Sequence, residues 1–451
     1  LPAGDSAQAD PHTDRRRFGM GGEWTSTTLG AICSFATGSA FPKSAQGDMV
    51  GKYPFIKVSD MNLPGNDRFI TIANNWVSKE TQARLRAKVH PEGSTVFAKI
   101  GVALTYNRRR ILTQPALIDN NMMAAIPIAG LVDHLFFYYM LCTIDFNEVA
   151  VGTALPYLNI SDLSRITVRL PSLKDQQAIA CILGTLDDKI ELNRRMNQTL
   201  EDIARAIFKS WFINFDPVRA KAAVRRAYPN WTNAQISRAA CPNLKPEIAE
   251  LFPDSFEDSE LGEIPKGWRV GHVVDLAYVS SGKRPEARYT DPSPESSVPL
   301  WGGNGPMGFV PEPLTTEPIL LTGRVGTLGS VFRISTPCWP SDNTLIIRAK
   351  RPHTFEYLFL QLQKIDYTSL NRGSTQPLLT QTDLQSQWVI LPAFEVLEHF
   401  SRFTCSIYGR IDADERESRT LAALRDALLP KLISGELRVK DAEKFLEERG
   451  L

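Results

Sequence analysis

The stretch GTALPYLNISDLSRITVRLP, residues 152–171, returns 221 positions later as GSTQPLLTQTDLQSQWVILP, residues 373–392. Without a gap, Pro156 falls on Pro377, Leu158 on Leu379, Asp162 on Asp383, Leu163 on Leu384, Val168 on Val389 and Leu170-Pro171 on Leu391-Pro392. The shared residues punctuate or pack the chain, so what is repeated is a structural unit.

The same register continues through Ile190/Ile411, Arg195/Arg416, Thr199-Leu200/Thr420-Leu421 and Ala206/Ala427, and reaches back to Asp145/Asp366. Upstream the offset drifts. Lys99-Ile100-Gly101 matches Arg324-Val325-Gly326, and Trp24…Gly38 matches Trp268…Gly282 with equal internal spacing. Each copy therefore has an adaptable globular part followed by a stereotyped rod.

The rods show a 4-3 alternation. The first seam runs Ile179, Leu183, Leu186, Ile190, Asn193, Asn197, Leu200, Ala204, Ile207, Trp211; the second runs Phe400, Thr404, Ile407, Ile411, Asp414, Ser418, Leu421, Arg425, Leu428, Leu432. This is coiled-coil spacing, polar at the same two repeat positions. Polar seam residues weaken packing yet penalise slipped registers, so the two helices are expected to pair with each other, antiparallel. On that reading, replacing Asn193 and Asn197 by leucine raises stability and loosens register. A helix of about forty residues is roughly 60 Å long, a spacer between two heads. The alternative is that each helix covers its own domain.

The globular parts read as short strands between turns: 54–60, 94–101, 124–128 and 166–171 in the first copy, then 298–303, 318–326, 330–334, 344–349 and 387–392 in the second. A buried helix is expected in each, around 131–144 and 354–365. The predicted class is α+β: two tandem pseudo-symmetric recognition domains with small bent sheets, separated by two long antiparallel coiled-coil helices. The expected segments are a disordered extension at 1–19, a first domain at 20–173, a central helix at 174–215, a connector at 216–266, a second domain at 267–392, and a C-terminal helix and tail at 393–451. Within the connector, EDSELGEIPKGW (257–268) reads as an exposed linker.

Catalytic motifs are sparse. GNGPMG (303–308) spells G-x-G-x-x-G, but Pro306 removes an amide a phosphate would need and no helix start follows, so a glycine-rich turn is expected. GRVGTLG (323–329) lacks the Lys-Ser/Thr of a phosphate loop. The tetrapeptide of amino-methyltransferases is missing, and Phe215-Asp216-Pro217-Val218 only echoes it. The six cysteines and six histidines are scattered, which predicts free buried thiols, no metal site and a reducing, cytoplasmic setting. The most apolar run, LVDHLFFYYMLCTI (131–144), is too short for a membrane span. A net charge of +1 excludes a polybasic coat but permits local basic grooves.

Polar groups at strand ends and turns suit double-stranded DNA. The candidates are Lys57, Asp60, Lys99 and the cluster Arg108-Arg109-Arg110 in the first copy, with Lys283, Arg284, Asn304, Arg324, Arg372 and Gln376 in the second. Arginine and lysine pair phosphates or guanine edges, asparagine and glutamine read adenine, and aspartate reads cytosine. The competing reading of each is an ordinary solvated charge.

The segment LPSLKDQQAIACILGTLDDKIELNRRMNQTLEDIARAIFKSWFINFDPVRAKA (170–222) closely resembles the central conserved region of specificity subunits of Type I restriction-modification enzymes. ELGEIPKGW (260–268), WGGNGPMGF (301–309) and LPKLISGELRV (429–439) carry the same resemblance, which covers nearly all of 20–451. It implies a non-catalytic subunit whose two domains each read half of a bipartite DNA target. It also implies that 174–240 and 393–445 dock two modification (methyltransferase) subunits, which restriction (motor-nuclease) subunits join. No cofactor is expected on this chain; S-adenosylmethionine, ATP and Mg belong to those partners. The second rod departs from the fuller family pattern at Arg425. The alternatives are a free-standing methyltransferase or nuclease with fused recognition domains, and a protein-binding scaffold.

Overall fold

The repeat in the sequence is a repeat of strand order. A computed structural model of the chain describes residues 24–448 apart from 153, 374 and 375; the expectation for 1–19 lies outside those residues. Two compact units emerge. One holds the described residues up to Glu191 and those from Ser418 onward, and the other is Leu192–Glu417.

In the first unit Cys33–Thr37 pairs with Met122–Pro127, that strand with Thr95–Ala98, and that with Arg109–Leu112, all antiparallel; Phe69–Ile70 adds a parallel edge. In the second unit Ala277–Ser281, Thr344–Ala349, Ile319–Gly323 and Val331–Ile334 take the same order and sense. A smaller sheet repeats as well. Tyr53–Ile56 lies antiparallel to Trp76–Val77 and parallel to Leu117–Ile118. Val298–Gly302 lies antiparallel to Gly305–Val310 and parallel to Trp339–Pro340. Finally, Thr25–Thr28 pairs Thr167–Leu170 as Arg269–His272 pairs Trp388–Leu391.

One apolar helix covers each main sheet. Asp133, the carboxylate inside the first apolar run, is the cap of helix His134–Cys142: its Oδ1 accepts the Leu135 and Phe136 N–H groups. Phe136 to Leu141 are buried, with Phe97, Ile111, Met123 and Ala125 of the sheet in the same core. In the second unit Tyr357, Leu358 and Leu362 of helix Phe355–Leu362 share a core with Leu320, Leu345 and Ile347.

The rods are helices Leu173–Phe212 and Phe394–Ser434. Ser172 starts the first, its hydroxyl accepting the Asp175 N–H and donating to the Asp175 carboxylate. In the second unit Asn193 donates to Glu417 at 2.7 Å while the Phe212 ring lies 4.9 Å from that of Phe400. As one number rises the other falls, so the pairing is antiparallel. The first unit shows the same sense: Arg425 donates to Asp187 at 2.6 Å, and Arg169, just before the first rod, donates to the Ser434 carbonyl at 3.1 Å. Asn193, Asp414, Ile411 and Leu421 are buried; Ile190, Asn197, Leu200 and Ser418 are half-buried. Asn193 also reaches the carbonyl of Asp414, its own repeat equivalent.

Several elements differ from expectation. EDSELGEIPKGW is no loose linker: Phe256–Ser259 and Gly262–Pro265 form a hairpin, because Ile264 and Trp268 have a core to enter. Ahead of it, helices Asp216–Ala227, Asn233–Ala240 and Pro246–Ala249 pack around a buried lysine. The Lys221 ammonium donates to the Ala249 and Phe252 carbonyls and to Asn233 Oδ1 at 2.9, 2.5 and 2.8 Å. The tail adds a helix, Val439–Glu447, which buries Ala442 and Leu446. The strand expected at 54–60 stops at Ile56 and turns 3₁₀ over Val58–Asn62. Cys33, Cys241 and Cys338 are buried free thiols, but Cys181 and Cys405 are exposed. Among the described residues no helix is long and apolar enough to cross a membrane.

Candidate nucleic-acid interface

Three turns and a loop converge on one edge of the second unit. The Lys283 N–H donates to the Pro340 carbonyl at 3.0 Å, and the Trp339 indole N–H donates to the Lys283 carbonyl at 2.7 Å. Three residues past Pro340, the Asn343 carbonyl takes the Arg324 N–H at 2.8 Å. Asn304, in the turn of the hairpin that GNGPMG forms, donates to Thr327 Oγ1 at 3.3 Å, and the Gly326 N–H donates to the Pro377 carbonyl at 3.0 Å. Lys283, Arg284, Asn304, Arg324 and Gln376 are thus brought together, all exposed or half-exposed.

Arg372 is exposed too, but it is engaged. Its guanidinium donates to the Asp383 carboxylate at 2.7 Å, and its N–H donates to the Leu378 carbonyl. That hydrogen bond holds the Asp383 carboxyl below the usual carboxylate range. The pair straps the loop that carries Gln376.

The first unit builds the matching edge from different side chains. The Asp119 N–H donates to the Ile56 carbonyl, the Ser39 N–H to the Ile118 carbonyl and the Lys99 N–H to the Asn121 carbonyl, which sets Lys57, Lys99, Ser39 and Asn121 around one turn. A groove of about 530 Å³ opens beside them, lined in part by Lys99, Tyr157, Asn159 and Ser161. Lys57 reaches Gln46 with its ammonium.

Two expected contacts are withdrawn into the fold. Asp60 is fully buried: its carboxylate accepts the Lys57 N–H at 2.8 Å and the Asn74 amide at 2.9 Å, closing the 3₁₀ turn. Arg109 is buried as well, its guanidinium donating to the carbonyls of Asn107 and Ile144 and lying 4.0 Å from the Phe146 ring. The cause is pleating. Arg109–Leu112 is a strand, so neighbouring side chains leave on opposite faces and a linear cluster of three arginines is dispersed. Arg108 stays exposed, bound to Asn62 and stacked 4.7 Å from the Tyr106 ring; Arg110 is half-buried and donates to the Arg109 carbonyl.

Sequence reasoning missed Ser39, Asn121, Asn343 and Tyr157. The first three are short polar residues in turns, without a motif to mark them. Tyr157 carried a signal, as an exposed aromatic in the loop GTALPYLN. Among the described residues no group of His, Cys, Asp and Glu is placed to hold a metal ion.

The chain matches the family described as Type I restriction modification DNA specificity domain over residues 21–202 and 265–400. It is 27% identical over 382 residues to the type I restriction enzyme HindI specificity subunit of Haemophilus influenzae, covering 71% of this chain and 81% of that one. It is 24% identical over 457 residues to the MjaIX specificity subunit of Methanocaldococcus jannaschii, covering 92% of each. In fold it is similar to the crystal structure of the Type I restriction-modification S subunit from M. genitalium, with a TM-score of 0.55 and 16% identity over 91% of this chain and 96% of that one.

Proposed function

The chain belongs to the Type I restriction-modification DNA specificity family, and from that premise we propose that each unit reads one half of a bipartite duplex target. The chain is the recognition component of a restriction-modification enzyme and not its catalyst. The observation that carries the two-half reading is that two heads sharing the order and sense of four main-sheet strands present unlike side chains at equivalent edge positions. Ser39 stands where the other head has Lys283 and Lys57 where it has Gly302, each beside matching backbone bonds; beyond these the heads part, with a 3₁₀ turn over Val58–Asn62 in one and the hairpin turn that carries Asn304 in the other. One scaffold with two chemistries suits two different base sequences.

The rods and the helical insert after the first rod are the proposed docking surface for two methyltransferase subunits, joined by motor-nuclease subunits in the cytoplasm. An exposed stripe supports this: Leu192, Met196 and Ile203 lie on one face of the first rod at 53%, 42% and 41% exposure. S-adenosylmethionine, ATP and Mg would be held by those partners.

The test is exchange of residues 267–392 for the matching segment of another member, followed by mapping of methylated adenines. One half of the methylated sequence changes and the other stays; a change in both halves defeats the modular reading. Arg108→Glu separates this reading from a protein-binding scaffold, since it weakens DNA binding only if the first head touches DNA.

A further inference from the structure

The internal repeat supplies a comparison that a single-headed protein lacks. Two heads that read different bases still meet the same sugar-phosphate backbone. Side chains kept alike in both should serve what the two half-sites share, and those that differ should serve what they do not. The argument rests on the bipartite reading above.

One pair of cations is kept alike. In the first head Lys99 ends strand Thr95–Ala98, and in the second Arg324 ends strand Ile319–Gly323. Four backbone contacts repeat around them. The Lys99 and Arg324 N–H groups donate to the carbonyls of Asn121 and Asn343 at 2.9 and 2.8 Å. Their own carbonyls accept the N–H groups of Leu158 and Leu379 at 2.9 and 2.8 Å. Ile100 bridges Tyr157 as Val325 bridges Leu378, both antiparallel. Gly101 and Gly326, at φ +77° and +87°, donate to the carbonyls of Pro156 and Pro377. Both positions need glycine, because L side chains rarely adopt that backbone.

The surroundings are kept as well. Gly38 and Gly282 each press against the turn that precedes the asparagine, where a Cβ would lie 2.1 Å from the Asp119 or Ser341 carbonyl oxygen. The cradle is rigid and duplicated, and at its rim sits a half-exposed cation. Neither the Lys99 ammonium nor the Arg324 guanidinium has an ion-pair or hydrogen-bond partner among the described residues. Some other arginines of the heads are engaged within the fold: Arg109 by carbonyls, Arg333 by Asp412, Arg372 by Asp383. Lysine in one head and arginine in the other fits a phosphate, which either cation can neutralise, better than a guanine edge read by one fixed fork.

We infer that Lys99 and Arg324 are a matched pair of phosphate clamps, one per head, that set affinity and register on the duplex without reading its sequence. The divergent pair Ser39/Lys283, with Asn304 in the second head, is left to discriminate bases.

The experiment uses the full chain assembled with its methyltransferase subunits and duplexes carrying the methylated site, a one-base change in either half, or a scrambled site. Binding is measured from 0.05 to 0.3 M salt. Lys99→Ala and Arg324→Ala each reduce the slope of log K against log [salt] by about 0.9, which is roughly eightfold in affinity at 0.1 M on extrapolation from 1 M. Both act equally on matched and mismatched duplexes, so the discrimination ratio of each half-site stays within about twofold. Lys99→Arg and Arg324→Lys retain binding within about threefold, as expected of a charge contact. Asn304→Ala does the opposite, keeping the salt slope and eroding discrimination in the second half only. Unchanged slopes in both alanine variants, or a ratio that falls in one half-site, overturns the clamp assignment while leaving bipartite recognition standing. If the unaltered complex treats the methylated and scrambled sites alike, the bipartite reading itself falls.

Discussion

Asp187 is the residue whose loss should cost the first unit most for a single change of charge. Its carboxylate accepts from Arg425 at 2.6 Å and from the Tyr139 hydroxyl at 2.6 Å, with the Arg68 guanidinium at 3.7 Å. Exposure is low at each charged corner: 13% for Asp187, 12% for Arg68 and 29% for Arg425. The cluster ties both rods to the loop that carries Arg68 and to the helix that carries Tyr139. Asp187→Ala would leave two guanidinium groups facing each other and a phenol without its acceptor. Breaking a buried pair by removing one partner costs about 3–5 kcal/mol. The lower end applies, because Arg68 keeps Asp188 and Arg425 keeps Asp426. A loss of about 3 kcal/mol in a unit of this size lowers its melting transition by roughly 6–12 °C. Differential scanning calorimetry of Asp187→Ala, Arg425→Ala and the double variant measures it, with a coupling of at least about 1 kcal/mol expected between the two sites. Asp187→Asn, which keeps an acceptor for Tyr139 but not the charge, should fall between wild type and alanine. A loss below about 1 kcal/mol, or strictly additive singles, would refute the reasoning.

Lys221→Met should destabilise the helical insert by about 2–4 kcal/mol, since it strands three acceptors that the ammonium satisfies; chemical denaturation reads this directly. His90 is fully buried, neither ring nitrogen has a partner among the described residues, and burial pushes its pKa down to about 4. The unfolded chain therefore binds a proton that the folded chain does not between about pH 6.5 and 4, so stability falls as pH drops through that window, by up to about 1.4 kcal/mol per pH unit. His90→Leu removes that contribution, and unfolding curves at pH 7 and pH 4.5 that shift equally in the wild type and the variant would count against it. In the seam the two asparagines should now part company. Asn197→Leu, which deletes a buried carbonyl oxygen without a partner among the described residues, stabilises by about 1 kcal/mol, whereas Asn193→Leu, which strips donors from Glu417 and the Asp414 carbonyl, destabilises by a similar amount. Equal shifts of the same sign in thermal melts would contradict this division.

Periodicity determined more of this protein than any local motif did. The repeat of G-x-x-x-P…D-L…L-P, carried into two 4-3 seams, was enough to establish two copies of one α+β head and two long antiparallel helices. Such patterns survive in one dimension because a helix face and a strand face are spaced by fixed rises along the chain. The apolar run at 131–144 was legible from composition instead, and Phe136 to Leu141 are buried without a break.

The sites were not legible in that way, because a surface is assembled from residues far apart in sequence. Three adjacent arginines looked like one basic patch until strand pleating sent Arg109 inward to the Asn107 and Ile144 carbonyls and left Arg108 outside. Asp60 looked like a base reader until the 3₁₀ turn claimed one of its oxygens and the Asn74 amide the other. Lys99 and Arg324 were already matched in the sequence, but only the strand ladders put each beside an asparagine turn and a proline loop. Sequence by itself determined which elements exist and that they occur twice, since propensity and periodicity act along the chain. Only tertiary structure decided which charges face solvent, since burial depends on what the rest of the fold brings against them.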